Sequence, residues 1–325
     1  MKHVRLGSTS MTVSELALGT YTFGRTADPE ECQRIVEQYL AAGGNFIDTA
    51  NVYGRGRAEE IVGRIFARRR DRVVVATKVG LPIRAGDPQP PLSRAGIIRD
   101  LEGSLRRLDT DWIDVYHVHW PDDRVGQEET FEALSEVAIA GKIRSVGVSN
   151  YTGAKLAQAI AICEGAGWPN LCAVQQQYSL LCRDSELDVF PVAAAKGICA
   201  FAWSPLAGGA LAGTTSEASS SPRPRNRRSL ADGPGEESEH ARIFQTVRKI
   251  AADVGRTPAQ VALNWVRQRP AVTAPILGVR SVEQLEDNLN ALEWQLDGDQ
   301  LGLLNRITKP RLPYPHNMYE EIGIR

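Results

Sequence analysis

Short runs of β-branched and apolar residues alternate along this chain with longer stretches whose apolar positions recur every three or four residues. "VSELALGT" (13–20) leads to "PEECQRIVEQYLAAGG" (29–44), and "NFIDTA" (45–50) to "AEEIVGRIFARRR" (58–70). "RVVVATKVG" (72–80) leads, across a Pro/Gly-rich loop, to "RAGIIRDLEGSLRRL" (94–108). The pattern continues with "WIDVYHVHW" before "QEETFEALSEVAIAGK", "IRSVGVSN" before "GAKLAQAIAICEGAG", and "LCAVQQQYSLL" before "SELDVFPVAAAKG" (185–197). It closes with "ICAFAWSPLAGG" before "HARIFQTVRKIAADVG" and "TAPILGV" before "SVEQLEDNLNAL". "TPAQVALNWVRQR" and "DGDQLGLLNRI" predict two further helices near the C-terminus. At the N-terminus, "MKHVRLGSTSMTVSEL" alternates around Gly7-Ser8, which predicts a β-hairpin rather than a signal peptide.

Strict strand–helix alternation demands a parallel sheet with helical crossovers, and eight units are the number that closes a (β/α)8 TIM barrel. An open doubly wound sheet is the rival, and it calls for a Gly-rich phosphate turn after the first strand. That strand ends "LALGTYTFGR", without G-x-G-x-x-G. "GRGRAE" at Gly54 follows the second strand and lacks the third glycine, so it reads as a loop and helix start. The expected fold is therefore one α/β barrel domain over 1–325, with an N-terminal hairpin and extra C-terminal helices. A Ser-, Pro- and Arg-rich segment, about 212–239, has no hydrophobic period and reads as a flexible loop. Its Arg223, Arg225, Arg227 and Arg228 could reach a phosphate, although a solvated loop is the favoured reading.

Composition narrows the class. A net charge of -1 offers no general field for nucleic acid or an anionic membrane, so neither is expected as a partner. No apolar run approaches the roughly 20 residues that span a bilayer. The five cysteines are an odd set without a C-x-x-C pair, so free thiols in a cytoplasmic setting are expected.

In such a barrel, chemistry gathers at the C-terminal ends of the strands. The polar residues there are Asp48 and Tyr53, Lys78, His119, Ser149 and Asn150, Gln175, and Trp203 and Ser204. Alone, each has an ordinary explanation: a solvated strand end or a packed loop aromatic. Together the first four make a proton-transfer group. A phenol with an ordinary pKa near 10 is a poor acid unless a neighbouring ammonium favours its anion. An aspartate holds that ammonium, and a histidine orients a carbonyl oxygen. Nothing in the set is an activated nucleophile, so a hydride brought in by a cofactor is the natural attacking species.

These motifs resemble the aldo-keto reductase family from end to end. "NFIDTANVYG" is similar to its Asp-plus-Tyr motif, "VVVATKVG" to its lysine strand, and "IDVYHVHWPD" to its histidine strand. "IRSVGVSNY", "FAWSPLAGGAL" and "PILGVRSVEQLEDNL" resemble its cofactor segments. The resemblance implies Tyr53 as general acid, Lys78 lowering its pKa, Asp48 fixing Lys78, and His119 positioning the substrate. It also implies Ser149, Asn150 and Gln175 at the nicotinamide amide, with Trp203 stacked on the ring. Ser204, Pro205, Leu206 and Gly208 would lie along the pyrophosphate, and Gly19, Thr20, Tyr21 and Asp48 would also bind the cofactor. Gly278, Arg280, Gln284 and Asn288 would surround the adenosine. A guanidinium at Arg280 suits a 2′-phosphate, which favours NADPH over NADH. The substrate is expected to be a small carbonyl compound, with Tyr21, Tyr53, His119 and Trp120 in contact and a keto-sugar or nucleotide-linked sugar within range. The chain departs from the family's pattern at "GTYTFG", where an aromatic-rich stretch is frequent, and at Gln177, where an acidic residue is common.

Two other readings stay open. Some barrels of this family serve as nicotinamide-binding regulatory subunits of channels. His117 and His119 lie two apart, on one face of a strand, and invite a metal-dependent hydrolase. That reading needs further ligands, yet His3, His240 and His316 fall in the hairpin, the loop and the tail. His117 is accordingly expected to be a packed barrel residue, and no metal site is expected.

Overall fold

The computed structural model describes residues 1–83, 86, 90–213 and 239–323. Strand β1 (His3–Arg5) pairs antiparallel with β2 (Thr12–Ser14), so the hairpin forms as expected. Eight parallel strands follow: β3 (Ala17–Gly19), β4 (Phe46–Asp48), β5 (Val74–Val79), β6 (Val115–Val118), β7 (Val146–Ser149), β8 (Leu171–Gln177), β9 (Cys199–Trp203) and β10 (Ala274–Gly278). They pair in sequence order, and β10 returns to β3 to close the barrel. The strands are covered on both faces, by side chains within and helices without. That is why they read as continuous runs of Val, Ile and Ala.

The barrel interior is filled at its N-terminal end by Phe46, Val74, Ala76, Val115, Ala173, Phe201 and Ala274. Leu6 and Val13 of the hairpin join this cluster and plug that end. The opposite, C-terminal rim is left for polar side chains. A second and larger cluster lies between the strands and the surrounding helices, and carries Trp265, Tyr39 and Phe131.

The helices start where the sequence supplies caps. Asp28 accepts the amide of Glu31 at the start of α1 (Pro29–Ala41), with Pro29 in its first turn. Helix α2 (Arg57–Phe66) follows a tight turn, and Ser93 caps α3 (Arg94–Leu108). After α4 (Gln127–Ile139), Thr152 caps α5 (Gly153–Ala166), which ends on left-handed Gly167. Helices α2 and α3 meet closely at Gly63. A Cβ there would stand 2.5 Å from the carbonyl oxygen of Arg107 and 2.7 Å from the carbonyl carbon of Leu108.

The sixth unit is shorter than the pattern predicted. A 3-10 turn (Asp184–Glu186) comes first, and only then α6 (Val189–Ala195). Pro191 has no N–H with which to bond the carbonyl of Leu187, so one helix through 185–197 cannot run. Asp188 instead restarts it by accepting the amides of Val189 and Gly153. The remaining helices span Glu239–Asp253, Pro258–Arg267, Val282–Leu289 and Gly298–Ile307. A capping box of Asp297 and Gln300 opens the last of these. The tail adds a short helix, His316–Glu321, with Tyr314 and Tyr319 exposed. Of the predicted 212–239 loop, residues 214–238, with Arg223, Arg225, Arg227 and Arg228, lie outside the described residues.

Candidate active site

Asp48 is the last residue of β4, and Lys78 is the next-to-last of β5. Both are buried, Lys78 completely. The Lys78 ammonium donates to both Asp48 carboxylate oxygens, at 2.9 and 2.7 Å, and to the backbone oxygen of Thr49 at 2.7 Å. Its remaining contact is the Tyr53 hydroxyl, at 3.4 Å. Tyr53 gets there because the chain turns at once after β4. It opens a short 3-10 segment (Tyr53–Gly56), and Gly54 and Arg55 take left-handed φ of 57° and 58°.

Neighbouring strand ends complete the cluster. The His119 ring lies edgewise to Tyr53, with ring centres 6.1 Å apart, and its backbone N–H donates to Val79 at the end of β5. Gln175 on β8 reaches across the barrel and donates its amide N–H to Asp48 at 2.7 Å. Asn150, left-handed at φ 59°, donates to the His119 carbonyl and accepts the Trp203 indole N–H at 3.0 Å. Ser149 donates to the Gln175 backbone oxygen. Thr20 donates both its N–H and its hydroxyl to the Asp48 carbonyl. Tyr21 meets Tyr53 edge-on at 5.2 Å, and Trp120 stands 45% exposed at the rim.

Asp48, Tyr53, Lys78 and His119 therefore converge from three strand ends, with Ser149, Asn150, Gln175 and Trp203 beside them. Two contacts escape the sequence. The Thr49 carbonyl binds the lysine, and Gln175 braces the carboxylate from 127 residues away. Nothing in the local pattern announces either one. Further out, the backbone after β9 makes an unusual run. Ser204, Ala207, Gly208 and Gly209 all have positive φ, at 53°, 48°, 70° and 98°. Left-handed positions outside glycine are strained and gather at functional sites, and such turns can aim N–H groups at an anion. Around β10, Gly278 and Arg280 are exposed and Asn288 is buried. Gln284 accepts the Arg280 amide N–H, and the Arg280 guanidinium is in no ion pair among the described residues. An aromatic face, a left-handed turn and a free guanidinium in this order fit a dinucleotide.

The electrostatics refine one expectation. Burial pushes the Tyr53 hydroxyl above its ordinary value of 10.0; Lys78 pulls it back, and Asp48 adds to the rise. The net shift is upward, so the lysine moderates the effect of burial instead of producing an acidified phenol. Tyr53 therefore keeps its proton at neutral pH. Burial works against the Lys78 ammonium, but the Asp48 carboxylate and Tyr53 outweigh it, and its pKa is raised.

Both histidines are held neutral. Burial first, and Lys78 second, push His117 down to about 3 and His119 well below its ordinary value. His117 is the packed interior residue expected: fully buried, and beside Lys78 in the strand register. Its ring fills the space left by Gly147, where a Cβ would lie 2.4 Å from Nδ1. Among the described residues no group of three or more His, Cys, Asp or Glu side chains could hold a metal ion. Among those residues nothing joins His117 and His119 as a further ligand, which hydrolase chemistry would need.

Two neutral buried histidines predict a pH dependence. Their unfolded forms take up protons near the ordinary histidine pKa of 6.5, and the folded His117 does so only near 3. The unfolded chain thus binds more protons in between, so stability is complete above 6.5 and falls as the pH drops toward 3. At pH 5 the loss from His117 is about 2 kcal/mol, and His119 adds to it in the same direction. Urea unfolding at pH 7 and pH 5 measures it, and His117→Asn should shrink the difference between the two pH values by about 2 kcal/mol.

The comparisons with known proteins agree with the fold. The model of the Aldo/keto reductase family matches residues 15–309, and the chain belongs to that family. It is 39% identical to the protein named "Uncharacterized oxidoreductase YrpG" of Bacillus subtilis, over 94% of this chain and 96% of that one. It is 30% identical to "Aldo-keto reductase YhdN" of the same organism, over 97% and 96%. A protein named "Probable voltage-gated potassium channel subunit beta", of Oryza sativa subsp. japonica, is 32% identical over 90% and 92%. The barrel is that of an NAD(P)H-dependent oxidoreductase acting on carbonyl compounds. Within it, no helix among the described residues is long and apolar enough to cross a membrane.

Proposed function

We propose that this protein reduces an aldehyde or ketone to an alcohol with NADPH, and that Tyr53 supplies the proton. One observation carries the reading: a fully buried ammonium bonded at once to the Asp48 carboxylate and to the Tyr53 hydroxyl. When bound, the dihydronicotinamide supplies a hydride for the carbonyl carbon. The chain's own residues do the rest.

Trp203 offers its indole face to one side of the nicotinamide ring, and Asn150 locks the indole by accepting its N–H. Ser149, Asn150 and Gln175 offer polar groups to the carboxamide. The Ser204–Gly208 turn and the Gly278–Asn288 segment take the phosphates and the adenosine. Neutral His119 presents a nitrogen to the substrate oxygen without adding a second positive charge beside Lys78. Tyr53 then passes its hydroxyl proton to that oxygen. Lys78 stabilises the phenolate as it forms, and Asp48, braced by Gln175 and Lys78, keeps the ammonium in place. Arg280, exposed and without a carboxylate partner among the described residues, favours the 2′-phosphate of NADPH.

The rice relative's printed name supports a second reading, a nicotinamide-binding subunit with little turnover. A steady-state assay separates the two. We expect NADPH oxidation with members of a panel of aldehydes, ketones and keto-sugars, and a preference for NADPH over NADH that Arg280→Gln weakens about tenfold or more. Binding of NADPH without turnover of any carbonyl compound would favour the subunit reading instead.

A further inference from the structure

Three arginines crowd the rim beside Tyr53, and the mechanism above uses none of them. Arg25 lies in the loop after β3, while Arg55 and Arg57 flank Gly56, Arg55 in the turn after β4 and Arg57 at the start of α2. Their closeness can be read from the glycines they pass. A Cβ on Gly54, the residue after Tyr53, would stand 3.3 Å from Cβ of Arg57 and 3.7 Å from Cγ of Arg25. One on Gly24 would stand 2.8 Å from Cγ of Arg57. The Arg25 guanidinium sits over the Tyr21 ring at 4.3 Å, and Tyr21 in turn touches Tyr53 edge-on. Arg25 is thus one ring removed from the proposed proton donor. Arg55 holds the left-handed φ of 58° that a glycine would take without strain.

None of the three guanidinium groups is in an ion pair among the described residues. A fourth arginine at the same corner is already neutralised. Arg107, whose Cδ would lie 2.6 Å from a Cβ on Gly56, is paired with buried Glu59. Glu60, one turn further along α2, makes no ion pair with any of the three among the described residues. A single unpaired arginine on a surface is unremarkable. Here the stems of Arg25 and Arg57 lie side by side at the rim of a site, and Arg55, exposed like them, stands beside them at a strained backbone position, so an anion arriving there meets more than one cation.

We infer that Arg25, Arg55 and Arg57 form an oxyanion subsite, which takes the carboxylate or phosphate of an anionic carbonyl substrate while the carbonyl itself lies at Tyr53. This rests on the reductase reading and adds the substrate class to it. Guanidinium forks match the planar oxygens of carboxylate and phosphate. A patch of one sign at the mouth also draws anions toward the site. The Tyr21 ring beneath Arg25 restrains one fork, which lessens the ordering an arriving substrate must impose.

The test compares charged and neutral carbonyl compounds of the same length. With NADPH, wild-type kcat/KM for 4-oxobutanoate should exceed that for its methyl ester at least tenfold, and added salt should erode only the former. The double variant Arg25→Gln/Arg55→Asn should lose at least tenfold on 4-oxobutanoate and stay within twofold on the ester. Asn is chosen because it accepts a left-handed backbone. Arg25→Lys/Arg55→Lys should restore part of the loss, which separates lost charge from a damaged fold. Glyceraldehyde 3-phosphate against glyceraldehyde tells whether phosphate, carboxylate or both are accepted. Equal kcat/KM for the acid and its ester, or an equal loss on both in the double variant, overturns the subsite and leaves the reductase reading standing. No turnover of the two anionic compounds, while neutral members of the carbonyl panel are reduced, overturns the subsite; no turnover across the whole panel, with NADPH bound, brings both down.

Discussion

Replacing Tyr53 by Phe should leave a folded protein that binds NADPH and has lost on the order of 10²–10⁴ of its kcat, the worth of a positioned proton donor. The ring stays, so its edge contacts with Tyr21 and His119 survive. Lys78 keeps three of its four acceptors, both Asp48 oxygens and the Thr49 carbonyl, so little stability should be lost. What disappears is the one hydroxyl that can deliver a proton next to the ammonium. The pH profile adds a sign. Burial and Asp48 raise the Tyr53 pKa further than Lys78 lowers it. Wild-type kcat/KM should therefore be level through neutral pH and decline only in the alkaline range above 10, where the phenol loses its proton. A fully active Tyr53→Phe enzyme would exclude Tyr53 as the acid, whatever the rest of the site does.

The second large effect is expected at Lys78, where stability and activity fall together for a reason that can be separated. Lys78→Met strips a buried carboxylate of its only charge partner among the described residues, where the Gln175 amide is then its one remaining side-chain partner. Orphaning one half of a buried ion pair costs about 3–5 kcal/mol, visible as a lower urea midpoint. Asp48→Asn in the same chain removes the orphaned charge, and most of the stability should return. Turnover should not return, because nothing then stabilises the Tyr53 phenolate. A single variant as stable as wild type would show that the pair contributes nothing to the fold. A double variant with restored turnover would show that the ammonium is dispensable for proton transfer. The pair's coupling energy is read from the complete cycle.

Some of this could be foreseen from the residues alone. The eight alternating units closed into the barrel they predicted, the hairpin formed around Gly7-Ser8, and Asp48, Lys78, His119 and Tyr53 met at the rim. Each of these follows from short-range information. Hydrophobic period sets the element type, and parallel pairing sends every strand's C-terminal end to the same side. The sixth helix is the instructive departure. Its apolar positions suit a helix over the whole of 185–197, but Pro191 and the Asp188 cap decide where it starts. The signal was in the sequence, and periodicity alone does not weigh it.

Local pattern determined the architecture, the face on which chemistry gathers, and the residue types available there. Only the closed barrel decided that Gln175 would brace Asp48 and Asn150 would lock Trp203. It also decided that the His117 ring would lie against Gly147, and that Arg25 would reach the same corner as Arg57. The same closure reversed the net shift at Tyr53, because the penalty of burying a phenol depends on everything around it and not on the lysine alone. Period and propensity act over a few residues, whereas these contacts join positions that closure of the barrel alone brings together.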